Sequence, residues 1–442
     1  MSGSVTTIER SDPSEAPWSD RLGIPALVAA TTISNLGNGI TSLAIPWFVL
    51  VTTGSPARTG IAGALVVLAN VMSSVIGGAA VDRLGHKQAS IISDLLSGIT
   101  VAIIPTLHLL GVLEYWHLLA LIFTGAIFDA PGSVARTALV PRLARRAKMP
   151  LERANSAMQF ADQSSRSLLG PLAAGLLIGF VGAASVLYID AATFILSIAI
   201  IGLLVRIPAR AAASAGADGP TGLPATDDSF FESVREGFRY VLRDEFLLLI
   251  MPISLLLNFI FSPTVAVVLP VLARDVFDSS SALGLIIASF GAGSTIGTLF
   301  YGWKGHQFSR YWTFMVAMIG ITFGFWLLAI TTTVWLAAIA LGLCGLVIGP
   351  TNVLALTIMQ GRVPEEMLGR VFGLMFSFSA ALAPLGVFLG GIFIELIGLR
   401  AVMVASAVGI TIAMLRVIMV RDLVRQFDVD AEPDQEGAAA DG

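Results

Sequence analysis

Gln159, Asp162, Gln163 and Arg166 recur at i, i+3, i+4 and i+7 inside one long apolar stretch. On a helix that spacing places all four on one face, and Asp162 can pair with Arg166 one turn later. An ionisable group at bilayer depth is costly and by default marks a pathway, a relay or a buried pair. The face is therefore expected to line a water-accessible cavity, with Asp162 and Arg166 as candidates for proton coupling. Asp190 in the following apolar run and Asp129 in the preceding one are further candidate acids. Asn35, Asn38, Asn258 and Asn352 place amides in other apolar runs; together with Gln159 and Gln163 they are candidate substrate-cavity residues, or they bond neighbouring helices.

Other chemistries lack their residues. A single cysteine, Cys344, excludes a disulfide framework and any cysteine-based zinc or iron-sulfur site. His86, His108, His117 and His306 are scattered without ligand spacing, so no metal and no cofactor is expected. No phosphate-binding loop suggests ATP drive, and no nucleophile or clustered acid-base motif suggests an enzyme. A net charge of -4 and a pI near 5.6 leave no basic stripe for nucleic acid.

The elements that carry these residues follow from composition. The 442 residues are 55% hydrophobic and only 13% charged, with a mean hydropathy of +0.84. Soluble domains carry roughly a quarter charged residues, so most of this surface must face lipid. Forty-four glycines suit closely packed membrane helices. Twelve apolar runs are long enough to span, near 24–52, 58–81, 89–112, 116–138, 155–180, 184–205, 246–272, 282–303, 312–331, 333–359, 370–397 and 401–420. Pro131 and Gly132 interrupt the fourth. The segment through Arg21 has no signal-peptide pattern, so the first run is read as a retained helix.

The expected fold is therefore an all-α polytopic membrane protein of twelve transmembrane helices in two six-helix halves. Residues 1–22 form an N-terminal tail, 23–205 the first half, 206–245 a linker, 246–420 the second half and 421–442 a C-terminal tail. The linker opens with a low-complexity Ala, Gly and Pro stretch and continues as an amphipathic helix with Phe230, Phe231, Val234 and Phe238 on one face. Of the 26 Lys and Arg, all but Arg58, Arg166, Arg274 and Arg400 fall on one side if both termini are cytoplasmic. The positive-inside rule then assigns N-in and C-in. The halves also look related: Pro46 with Gly60 repeats as Pro270 with Gly284. Two parallel repeats with a site between them are the build of a secondary transporter.

The stretch Gly78-Ala79-Ala80-Val81-Asp82-Arg83-Leu84-Gly85-His86-Lys87 resembles the signature between the second and third helices of the major facilitator superfamily. Ser34-Asn35-Leu36-Gly37-Asn38-Gly39, Ala154-Asn155-Ser156, Arg235-Glu236-Gly237-Phe238-Arg239-Tyr240 and Gly369-Arg370-Val371-Phe372-Gly373 resemble its transmembrane secretion branch. The resemblance spans roughly residues 20–420 and implies the major facilitator fold, in the cell membrane. It also implies a gating motif of Gly78, Asp82, Arg83, Gly85 and Lys87, in which Asp82 caps the eleventh helix near Gly369-Arg370. Asn38 stands where relatives often carry an acid, so proton carriage must lie elsewhere, with Asp162 favoured. Gly170, Pro171 and Gly175 resemble an antiporter motif and are expected to bend the fifth helix.

The implied activity is secondary active efflux of small apolar or amphipathic, drug-like molecules by proton antiport and alternating access. A siderophore exporter is the alternative; an importer of a polar solute fits less well. The expected partners are the small-molecule substrate, protons and the lipid bilayer, with the chain working as a monomer. A cysteine at Ser279 should label from outside the cell, and one at Ala215 only after permeabilisation. The reverse pattern in a membrane-impermeant maleimide assay overturns the orientation.

Overall fold

A computed structural model describes residues 21–205, 239, 243, 245–363 and 365–419. The amphipathic helix expected within 206–245 lies outside the described residues, apart from 239, 243 and 245. Twelve long helices follow one another: α1 Gly23–Thr53, α2 Pro56–Leu84, α3 His86–Leu109, α4 Tyr115–Arg146, α5 Leu151–Val181 and α6 Ala183–Leu204. They continue as α7, in three pieces from Glu245 to Asp275, α8 Ser280–Lys304, α9 Arg310–Ala329, α10 Val334–Arg362, α11 Glu365–Ile397 and α12 Leu399–Met419. Eleven are long and apolar enough to cross a membrane, and α11 carries a shorter apolar stretch, Ala381–Ile397. No strand occurs among the described residues.

Two boundaries differ from the sequence expectation. Helix α4 runs through Pro131 and Gly132 and ends only at Arg146. Pro131 removes the N–H that would bond the Ile127 carbonyl, and the Ser73 hydroxyl donates to that carbonyl instead. Ser93 donates to the next carbonyl, Phe128 O, so the proline is absorbed and not a break. Helix α11 begins at Glu365, before Gly369-Arg370.

The chain divides into two compact units, residues 1–39, 69–166 and 187–219 in one, and 40–68, 167–186 and 220–442 in the other. This line differs from the division into six-helix halves, because α1, α2, α5 and α6 each contribute to both units. The first unit packs α3 along α4 and buries Leu27, Ala30, Leu139, Leu143 and Ile201. In the second, α8 and α9 pack on α10, and α7 packs on α11, around Ile260, Met318, Phe325 and Ile410. Large apolar side chains such as Phe180, Trp303, Trp335 and Met419 face outward, as lipid contact requires.

Within the second unit, helices from the two sequence repeats meet backbone to backbone. A Cβ on Gly60 of α2 would lie 2.8 Å from the Val387 carbonyl oxygen and 3.0 Å from Gly391 Cα of α11. A Cβ on Gly284 of α8 would lie 2.5 Å from the Pro171 carbonyl oxygen and 2.8 Å from Gly175 Cα of α5. Gly60 and Gly284 are the glycines that the sequence pattern paired, and each marks the same kind of contact. Small residues permit such approach where lipid offers no hydrophobic drive between helices.

Gly284→Val should therefore force α5 and α8 apart and lower the thermal midpoint of the purified protein by several degrees. Gly302→Ala, on the same helix and with open space around its Cβ, should be neutral or stabilising by up to about 1 kcal/mol. Equal midpoints for the two variants would show that the glycine contact is not a constraint.

Candidate functional site

Helices α1, α4 and α5 bring five polar side chains of the first unit into one network. Asn35 Nδ2 donates to Asp162 Oδ1 at 2.8 Å, and Arg166 Nε donates to the same oxygen at 3.0 Å. Arg166 Nη2 donates to Asn35 Oδ1 at 2.8 Å and lies 3.9 Å from Asp129 Oδ2. Asn38 Nδ2 donates to the other oxygen of Asp129, at 2.9 Å. Two carboxylates thus share one guanidinium, each also holding one amide from α1. The side chains of Arg166, Asp162 and Asp129 are 36%, 44% and 20% exposed, so the network is partly open to its surroundings.

The expected ion pair of Asp162 with Arg166 is formed, and Asn35, Asn38 and Asp129 join it. Beside the network, a cavity of about 470 Å³ lies between α1, α4 and α5, lined by Asn35, Asn155, Ser156, Gln159 and Asp162 among others. Most of its lining residues are polar, while apolar atoms make up the larger share of its surface. Gln163 is exposed on the same helix. Asp190 stands apart, fully buried beside Gly37, where a Cβ would collide with its carboxylate, and Thr193 donates to its carbonyl oxygen at 2.7 Å. In the second unit, Asn258 donates to Ser254 O of its own helix at 3.0 Å, and Asn352 is exposed.

The sequence reading missed a second charged cluster. Arg136, counted there among inner-loop cations, is 1% exposed within α4, and its Nη1 donates to both oxygens of Asp94, at 2.9 and 3.1 Å. Ser197 of α6 donates to Asp94 Oδ2 at 2.7 Å. Arg136 Nε and Nη2 have no hydrogen-bond partner among the described residues. The signal was present in Asp94, an acid in an apolar run with Ser90, Ser93 and Ser97 around it, which the cost of burying charge should have singled out.

The gating motif is partly visible. Gly85 forms the tight turn between α2 and α3 at φ 79°, where a side chain would be strained. Lys87 Nζ donates to the Gly202 and Val205 carbonyls at 2.9 and 2.7 Å, closing the C-terminal end of α6 where a cation complements the helix dipole. It is thus a cap on α6. Arg83 is exposed. The side chains of Gly78 and Asp82, and those of 365–370 in α11, lie outside the described residues.

In α5 a π-helical turn, Ser165–Leu169, carries Arg166 and runs directly into Gly170 and Pro171. Pro171 cannot bond the Ser167 carbonyl, and that carbonyl faces Gly291 of α8, where a Cβ would collide with it. Gly175, one turn beyond Pro171, is the residue seated on Gly284.

Comparison with known proteins gives a consistent result. Residues 16–439 match the family model described as transmembrane secretion effector. The multidrug efflux pump Tap of Mycolicibacterium fortuitum is 30% identical over 411 residues, covering 92% of this chain and 97% of its own. The enterobactin exporter EntS of Salmonella typhimurium is 26% identical, covering 91% and 93%. Among solved structures, the nucleoside transporter NupG superposes with a TM-score of 0.72 at 14% identity over 93% of this chain and 99% of its own, a likeness of fold.

The Asp94–Arg136 pair generates a stability prediction. Asp94→Asn leaves a buried guanidinium uncompensated and should cost about 3–5 kcal/mol, seen as loss of monodisperse protein on size exclusion in detergent. Replacing both together, Asp94→Leu with Arg136→Met, should recover most of that loss. A single mutant as stable as the double would show that the pair is not what holds α3 to α4.

Proposed function

The chain belongs to the transmembrane secretion effector family of the major facilitator superfamily, a family of multi-pass cell-membrane efflux transporters, and from that premise we propose that it exports small amphipathic, drug-like molecules in exchange for protons. The observation that carries the proton part is the sharing of Arg166 by Asp129 and Asp162. One guanidinium neutralises one carboxylate, so the network holds one negative charge in excess. A proton on Asp162 removes the partner of Arg166 Nε, and Arg166 then turns to Asp129, which it already approaches at 3.9 Å. Loss of the proton reverses the exchange. Because Arg166 rides on the π-helical turn next to Gly170 and Pro171, its choice of partner acts on the segment of α5 that is least tied by its own hydrogen bonds.

The substrate part rests on the cavity beside the network. Asn155, Ser156 and Gln159 offer hydrogen bonds, Asp162 offers charge, and Met158 and Val140 add apolar wall. Such a lining suits a molecule with one polar end better than a purely apolar one. Siderophore export is the second reading, favoured by the likeness to EntS; the cavity lining carries one acid, Asp162, and one base, Arg136, and does not itself select against an anionic cargo.

Asp162→Asn should abolish export against a substrate gradient and substrate-dependent proton movement in proteoliposomes, while downhill substrate exchange survives. Asp129→Asn should impair coupling as well, since it leaves Arg166 without an alternative partner. Undiminished proton flux in Asp162→Asn would move the carrier elsewhere, with Asp190 the next acid to test.

A further inference from the structure

Helix α2 opens at its outer end with an arrangement that the efflux reading does not use. Ser55 Oγ accepts the Arg58 N–H at 3.2 Å, as a helix N-cap does, and donates its own proton to Glu395 Oε2 at 2.8 Å. The same Oε2 accepts the Ala57 N–H at 3.1 Å. Glu395 belongs to the last turn of α11, so a carboxylate from one sequence repeat sits on the free amides and positive dipole end of a helix from the other.

The surrounding contact gives this bond leverage. One turn before Glu395, Gly391 lies against α2 so closely that a Cβ would come within 2.6 Å of the Pro56 carbonyl oxygen. Across the related α5–α8 contact, Ser280 and Ser281 both donate to the Gly175 carbonyl oxygen at 3.2 Å. These contacts join glycine backbone to glycine backbone and hydroxyl to carbonyl, with the buried side chain of Val387 packed against Gly63 beside them. Glu395 supplies the charged contact of the α2–α11 seam. Its side chain is exposed, so a released carboxylate passes into solvent and no charge is stranded.

We propose that Glu395 is an outer latch, a positioning residue whose carboxylate on the α2 N-terminus holds the outer ends of α2 and α11 together and sets how readily they part during transport. The proposal rests on the alternating-access reading but requires neither proton coupling nor any particular substrate. Charge on the dipole governs the latch; Gln at 395 keeps an acceptor oxygen and loses only the charge.

The test reads the related α5–α8 contact, which parts together with α2–α11 when the two repeats separate at their outer ends. In the full chain with Cys344→Ala, a cysteine at Ser280, which is 7% exposed against α5, is labelled from outside with a membrane-impermeant maleimide. With no substrate or gradient present, Glu395→Gln should raise the labelling rate about three- to tenfold and Glu395→Ala at least as much. Ser55→Ala, which removes the hydroxyl bridge and leaves the charge, should fall between the parent and Glu395→Gln. Rates within twofold of the parent in both Glu395 variants overturn the latch, as does a parent that labels as fast as a free thiol. If Asp162→Asn retains its proton flux while the Glu395 effect on labelling persists, the coupling reading fails and the latch stands.

Discussion

A charge within a hydrocarbon slab has to be balanced where it stands, because there is no water to solvate it and little dielectric to screen it. The two ionic clusters of the first unit answer that constraint in opposite ways. Asp94 and Arg136 are matched one to one and 1% exposed, with Ser197 as a further donor to the acid. Asp129, Asp162 and Arg166 are matched two to one and partly exposed. A closed, balanced pair has one favourable arrangement and holds α3 against α4. An unbalanced, partly exposed cluster puts two acids within reach of one guanidinium, which is the arrangement the proposed proton exchange would use. The two clusters differ in charge count and exposure, with the same residue types in both.

The same logic applies to backbone groups. A proline inside a membrane helix leaves a carbonyl without its usual donor, and Pro131 and Pro171 differ in what meets it. Ser73 serves Ile127 O ahead of Pro131, and the result is a continuous α4. Ahead of Pro171 the freed Ser167 carbonyl is met only by the glycine face of α8 at Gly291, and the result is a π-helical turn in α5. A second π-helical turn, Thr264–Val268, precedes Pro270 in α7.

Such contacts between helices limit what could be read from sequence. Helices were legible because a run of about 20 apolar residues has few other fates, and the face of α5 was legible because its four polar residues share one helical periodicity. Asp129 was legible as an embedded acid, but its shared claim on Arg166 was not, since nothing local to Asp129 specifies a neighbour 37 positions later. Arg136 was misread because an Arg beyond Pro131 and Gly132 looks like the start of a loop. The hydroxyls of Ser73 and Ser93, on other helices, meet carbonyls ahead of Pro131, and α4 runs on with Arg136 turned inward to Asp94. The pairing of Gly60 with Gly284 was visible as a repeat, while its purpose needed the partners Gly391 and Gly175.

These partners bear on how a membrane protein can have two stable arrangements. Apolar packing in lipid gives up little when helices part, since lipid tails replace side chains as neighbours; specificity must come from fit and from polar contacts. At Gly60–Gly391 and Gly175–Gly284 the fit is backbone on backbone, which any added Cβ would block, so the contact is exact in register. The hydroxyl bonds of Ser280 and Ser281 to Gly175, and of Ser55 to Glu395, add directed polar contacts to that fit. Register is thus set twice at each seam, once by the absence of a Cβ and once by a donor that must meet a fixed acceptor.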